Sequence, residues 1–447
     1  MMVLALSIGA RAGATPQEPR PPPDVTRGES YDGRVHGRLA LDDALLVPRL
    51  VLALPRELWR LVFWPIGKVA RWQEKTHILQ RTVDAITSAD GQVGVRPVFD
   101  FVTGYRATVG ASVFNRRLLG EDTNLQFSLS SNFSNVWFTD FALRPTHANR
   151  AIEYTAAGFY NRRDDYLYTG IGMATARTHL GGRYSIDEAE LHNHVDFVLN
   201  RHVTLLLDGM FGVRRFGDGV KVGDDLPIEQ VFCAHLVDGR CVSRAVDASQ
   251  VPGFYTGTQF LRGGATLRID TRDSVHRPTS GAMFQAGADY SHGLGAEDPS
   301  SYFRIHAVLV TVLDLWRRNR ILVLRASTDA VYPMGGADVP FSELETLGGP
   351  ADLRGVRLGK YRDYSRVMFT AEYRWPIWMW MEAALFVDYG GVFGRSYQGF
   401  GIDRMIPAVG IGIRLRTSSQ FYVRVQVGYG FLGEGWHLSL SATTDPL

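Results

Sequence analysis

From Gln92 to the C-terminus, apolar and polar residues alternate one by one in segments of about ten. That period of two fixes the chain as strand, because successive strand side chains point to opposite faces. In 421–431 the apolar face holds Phe421, Val423, Val425, Val427, Tyr429 and Phe431, and the other holds Tyr422, Arg424, Gln426, Gly428 and Gly430. Val409, Ile411, Ile413 and Leu415 oppose Gly410, Gly412, Arg414 and Arg416, and Trp436, Leu438 and Leu440 oppose His437, Ser439 and Ser441. The same split recurs in 105–113, 125–133, 260–270, 282–290 and 367–375.

A soluble sandwich alternates with the same period, so three further features carry the choice. The segments approach the ~9–11 residues that cross a bilayer at a tilt, where soluble strands average ~5–6. The polar face carries glycine and charges of both signs. Connections alternate short (200–202, 317–319, 417–420) with long (215–257, 332–365), as in outer-membrane barrels with short periplasmic turns and longer outer loops. The reading is all-β: a sixteen-stranded antiparallel transmembrane β-barrel over 91–447. Its strands lie near 92–102, 104–114, 123–133, 135–143, 151–161, 184–199, 203–214, 258–272, 280–291, 301–315, 320–331, 366–376, 380–392, 405–416, 420–430 and 436–445. An even count puts both ends of the barrel on the periplasmic side.

Composition removes the competitors. With 48 Lys+Arg against 46 Asp+Glu the net charge is +2, which gives no global reason to bind nucleic acid. A 45% apolar share is too high for a disordered chain, and two cysteines are too few for a disulfide scaffold. The richest apolar stretch, 44–66, contains Arg49, Arg56, Glu57, Arg60 and three prolines, so it is no transmembrane helix.

Ahead of the barrel, 1–14 reads as a secretory leader ending in small-x-small cleavage signals, though it lacks a basic start. Residues 15–39 read as a Pro/Gly linker. In 40–90, Leu41, Leu45, Leu50, Leu54, Leu58, Leu61 and Trp72 recur at helical spacing among Arg49, Arg56, Arg60, Lys68 and Arg71, broken by Pro48, Pro55 and Pro65. The spacing predicts a short amphipathic helical segment in the periplasm. Two placements stay open, on the membrane surface or packed on the barrel.

Two stretches carry more than alternation. One is Leu347-Gly348-Gly349-Pro350-Ala351-Asp352-Leu353-Arg354-Gly355, followed by Glu372-Tyr373-Arg374-Trp375-Pro376 and by Phe386-Val387-Asp388-Tyr389-Gly390-Gly391. The other is Thr266 to Asp273 with Pro278-Thr279-Ser280-Gly281. Their order resembles the BamA/TamA superfamily of bacterial surface-antigen barrels, in which a loop with a [VI]-R-G-[FY] motif folds into the lumen. Here the motif reads Leu353-Arg354-Gly355-Val356, without its aromatic, and the chain ends in Leu447 rather than an aromatic. The resemblance implies an outer-membrane location and a role in inserting or translocating proteins or lipids. Residues 15–91 show no strand signals, so it implies a member lacking the family's periplasmic POTRA modules.

By parity Glu372 and Asp388 share the lumen face of adjacent strands, so an Arg354 guanidinium could fork onto both; alternatively they simply line a wet lumen with Arg374, Arg414 and Arg424. Cys233 and Cys241 share the longest outer loop and are expected as a disulfide, stabilising it by roughly 2–3 kcal/mol, with two free thiols as the other reading. His192 and His194, with Asp196, read as lumen-face residues rather than metal ligands. No G-x-S-x-G, H-E-x-x-H or P-loop occurs, so no catalytic residue, metal or cofactor is assigned. The expected partners are outer-membrane lipid and, as substrates, nascent outer-membrane proteins or lipids. A small-solute channel and an outer-membrane lipid hydrolase are the alternatives.

Overall fold

The alternating segments close on themselves. The computed structural model describes residues 87–443 apart from 89–90, 119–122, 146–150, 179–180, 238–239, 244, 276–277, 296–299, 316–319, 337, 379–380 and 417–421. The leader, the linker and nearly all of the helical segment therefore lie outside the described residues. What is described is one cylinder of sixteen antiparallel strands.

In chain order these are β1 (Val93–Val102), β2 (Thr108–Asn115), β3 (Thr123–Ser131), β4 (Trp137–Pro145), β5 (Ile152–Tyr168), β6 (Gly182–Asn200), β7 (Val203–Asp218) and β8 (Thr258–Asp270). They continue as β9 (Gly281–Gly293), β10 (Ser301–Asp314), β11 (Ile321–Met334), β12 (Ser365–Trp378), β13 (Met381–Phe393), β14 (Ile406–Arg416), β15 (Tyr422–Gly430) and β16 (Gly435–Thr443). Each pairs with the next, and β16 returns to β1 through Phe99↔Ala442 to Val102↔Ser439. Closure is obligatory in lipid, where an unpaired strand edge has no water to satisfy it. The outward rows fit that solvent. Phe127, Phe141, Leu191, Phe211 and Leu261 form one row across neighbouring strands, and all are exposed.

Strand length is uneven around the cylinder. β5, β6 and β7 run to 17, 19 and 16 residues, whereas β1 to β4 span 8 to 10. The sequence placed the ends of β5 and β7 too early, at 161 and 214, because alternation fails beyond them. The structure gives the reasons. Register shifts between Arg163 and Tyr166, where buried Asp165 accepts from the Arg106 N–H at 2.6 Å. Above that point, Tyr168, Tyr184 and Phe216 face folded-in loops rather than a wet lumen, so the inward side turns apolar. The two long loops thus begin later than expected and span 219–257 and 335–364.

Both loops turn into the outer mouth and build a core there. Ile228, Phe232, Val251 and Phe254 of the first pack with Tyr168 and Tyr184 on the wall and with Phe341 of the second. Leu347, Leu353, Val356 and Tyr361 of the second bury against Met368, Val392, Ile406 and Ala408. A short helix, α1 (Met173–Thr178), adds Ala176 to this core. At the periplasmic end, the Asp270–Gly281 connection closes on its own side chains. Arg272 Nη2 donates to Asp270 at 2.7 Å, and Asp273 accepts from the Thr279 N–H at 2.8 Å.

Every described barrel strand begins at or after Val93. A chain lacking residues 1–86 is expected to refold into a barrel whose gel mobility still shifts on heating. Failure to refold in detergent would make the preceding segment part of the barrel.

Candidate functional site

The 335–364 loop is held in the lumen by charge, and its central residue is Arg354. Gly355 has φ +128°, a backbone region open to glycine, and this lets the loop tip lie flat against the wall. A Cβ on Gly428 would collide with the Arg354 carbonyl, and one on Gly430 with the Gly355 carbonyl. The bare backbone of β15 is therefore the floor on which the tip rests.

Seated there, Arg354 reaches three strands. Its Nε and Nη2 donate to the two Asp388 oxygens, each at 2.8 Å, and its backbone N–H donates to Asp388 Oδ2 at 3.1 Å. Nη1 donates to Glu372 Oε2 on β12, and more weakly at 3.4 Å to Gln426 Oε1 on β15. The guanidinium also stacks 3.6 Å over the Phe386 ring. All five residues are buried. Glu372 is shared further, because Arg374 and Arg414 donate to its other oxygen at 2.5 and 2.7 Å. Thr370 donates to Asp388 at 3.0 Å. Leu353 and Val356 flank the arginine as apolar packing.

Parity along β12 and β13 brought Glu372 and Asp388 to the lumen face in the sequence reading. It gave no reason to single out Gln426, Phe386, Gly428 or Gly430 from the rest of that face, since their role depends on where the loop tip lands. Arg374 and Arg414 appeared there only as generic lumen cations, and the structure pairs both with Glu372.

A second attachment, absent from the sequence reading, lies across the lumen. Glu343 is bonded by Arg214 of β7, Arg262 of β8 at 2.6 Å and the Tyr302 hydroxyl of β10, while Arg304 donates to its backbone carbonyl at 2.8 Å. Burial alone would raise the Glu343 carboxyl, but Arg214, Arg262 and Arg304 outweigh it and hold it down at about 2. Beyond the arginine tip the loop reaches both sides of the barrel seam. The Tyr105 hydroxyl, just after β1, donates to the Leu358 carbonyl at 2.6 Å. Lys360 and Tyr361 bond Glu434, just before β16, the lysine at 2.7 Å.

The remaining candidates lie elsewhere. Cys233 and Cys241 are joined by a disulfide in the 219–257 loop, with Cα atoms 5.8 Å apart. On β6, His192 lies 3.0 Å from Glu190, and His194 lies 2.5 Å from both Asp196 and Asp208.

Removing one member of a buried ion network strands the others, a loss of about 3–5 kcal/mol. Arg354→Ala is therefore expected to lower the temperature at which the folded band is lost in gels. Arg354→Lys should recover only part of that, since a point charge cannot fork. Gly428→Ala should expel the tip without touching any charge, and combined with Arg354→Ala it should add little. Full additivity of the two, within ~0.5 kcal/mol, would mean that the arginine and the glycine floor do not act as one seat.

Comparison with known proteins places the site in context. The Omp85 superfamily domain matches residues 237–437, a span that holds the whole 335–364 loop and every residue bonded to Arg354. Among solved structures, BamA from Haemophilus ducreyi lacking POTRA domains 1–3 is similar in fold, with a TM-score of 0.54 and 12% identity over 79% of this chain and 70% of that one. CdiB from Acinetobacter baumannii aligns with a TM-score of 0.48 and 13% identity, over 78% of this chain and 59% of that one. No curated protein matches the sequence. Its sixteen-stranded closure and its match to the Omp85 superfamily domain over 237–437 make the chain a barrel of the bacterial outer membrane, similar in fold to BamA.

Proposed function

We propose that this barrel assists the insertion or translocation of proteins or lipids at its β1–β16 seam, without enzymatic chemistry, and that the docked loop keeps the seam shut at rest. The observation that carries this reading is the seam itself. Among the described residues its ladder is the shortest between neighbouring barrel strands, running only from Phe99↔Ala442 to Val102↔Ser439, with Thr103 N–H donating to the Leu438 carbonyl at 3.0 Å. Alternation also shows which backbone groups face the seam. Odd residues of β1 turn their N–H toward β16, as Thr103 does, and even residues turn toward β2, as the bond from Arg116 N–H to the Gln92 carbonyl shows. Two residues beyond Phe99, the next donor on the seam side would come from Pro97, which has no N–H. A short ladder separates at lower cost than a long one, and an opening strand edge is a template for an incoming strand.

The loop supports a closed resting state because Tyr105–Leu358 and Lys360–Glu434 bridge the outer end of the same seam. A wide channel for small solutes fits less well, since two folded-in loops share a buried core at the outer mouth.

The test is a staple. Val102 and Ser439 are register partners, so Val102→Cys with Ser439→Cys should cross-link the seam. In proteoliposomes the stapled barrel is expected to lose its acceleration of outer-membrane protein folding and to regain it on reduction, with the unstapled protein reduced in parallel. An oxidised staple that leaves activity intact would exclude the seam as the route. Solute flux that survives the staple and rises on Arg354→Ala would favour the channel.

A further inference from the structure

A packed core has two sides, and one apolar cluster on this barrel has only one. Near the periplasmic end of β10 to β14, strand register aligns a row from Leu313 through Tyr373 to Ile411, and a second row of Trp375, Ala383 and Ile413. Both rows point outward, because Glu372 and Arg374, which alternate with them on β12, point into the lumen and bond each other there. Ala383 is nonetheless 0% exposed, Tyr373 4% and Trp375 6%, and Leu315, just after β10, is fully buried. The rest of the cluster is half-buried against these four, and every member belongs to the same stretch of wall.

Elsewhere the outward face looks different. Higher on the same strands, Leu309, Phe369 and Val387 are 46%, 45% and 51% exposed. Across the cylinder, Ile152, Leu199 and Ile269 stay exposed at the periplasmic end. Strand neighbours alone therefore do not hide an outward side chain in this barrel. Tyr373 and Trp375 stack with ring centroids 5.4 Å apart, which shields one face of each ring and leaves the other to be covered. The burial arises within a single chain, so the cover is a further part of this chain. Five strands at ~4.8 Å spacing span about 19 Å. The turn residues at this end that lie outside the described set, 316–319 and 379–380, are too few to roof two rows over that width.

The N-terminal part has the length and the pattern. Residues 40–86 lead into Thr87, which bridges Gly94 at the periplasmic start of β1. From there β14 is three strand spacings away, about 14 Å. Leu50, Leu54, Leu58 and Leu61 recur at helical spacing among Arg49, Arg56 and Arg60. Such a stripe can meet an apolar wall while its arginines face the lipid headgroups.

We infer that residues 40–86 dock on the outward, periplasmic end of β10–β14, with their apolar stripe over Tyr373, Trp375 and Ala383 in place of lipid. Of the two placements that the sequence leaves open, the burial favours the barrel wall. The inference holds whether or not the seam opens.

The experiment uses the full chain in dioleoylphosphatidylcholine vesicles, with the native disulfide left oxidised. With Tyr373 or Trp375 replaced by the photo-cross-linker p-benzoylphenylalanine, irradiation is expected to join the wall to peptides from 40–86, identified by mass spectrometry. Adducts with lipid alone, or with 316–319 or 379–380 alone, would overturn the inference. A second measurement needs no bulky probe on the wall. Ala383→Cys is expected to react with a lipid-soluble maleimide at least several-fold more slowly than Phe369→Cys. Adding Leu54→Asp with Leu58→Asp should raise the Ala383→Cys rate to that of Phe369→Cys and leave the latter unchanged. An Ala383→Cys thiol that is as reactive as Phe369→Cys from the start, or that stays protected beside the two aspartates, would also overturn it.

Discussion

In hydrocarbon a backbone N–H or C=O without a partner has no water to turn to, so a strand in the membrane must be bonded on both sides. Everything else in this molecule follows from how that demand is met and where it is met least well. Fourteen strands find both neighbours next to them in sequence, across turns or loops. The pair that closes the cylinder joins residues at opposite ends of the described chain and, among the described residues, does so over the shortest ladder, with a proline on the seam side of β1.

The lumen obeys a different rule. It is lined with charges of both signs, which in a dry interior would be destabilising unless paired. Some pairs run from wall to wall, such as Arg214–Glu190 and Arg366–Asp329, and the 335–364 loop supplies others. Glu343 joins the wall formed by β7, β8 and β10, and Arg354 joins the wall formed by β12, β13 and β15. The loop is thus a strut across the cylinder, fastened by opposite charges at its two feet. Its middle is apolar and buried, so the outer mouth is closed by packing as well as by ion pairs.

Much of this was legible in the sequence, for a physical reason. Side-chain alternation is imposed by the strand and read directly, so sixteen strands and the lumen parity of Glu372 and Asp388 could be written down from residue order. Alternation fails where the solvent on one side changes. Beyond Arg163 and Arg214 the inward face meets loops, so the ends of β5 and β7 were hidden. Loop landing sites have no periodicity at all. Glu343 looked like any loop carboxylate, and Gly428 like any small lumen residue, until the fold brought their partners from far along the chain.

The strut also divides the chain. Arg214, Arg262, Tyr302 and Arg304, the partners of Glu343, all precede it in the chain. Every side chain bonded to Arg354 follows it: Glu372, Asp388 and Gln426. One loop therefore clasps the two halves of the barrel to each other, each foot held by strands from one side of it in sequence, so a pull that parts the halves loads both feet at once.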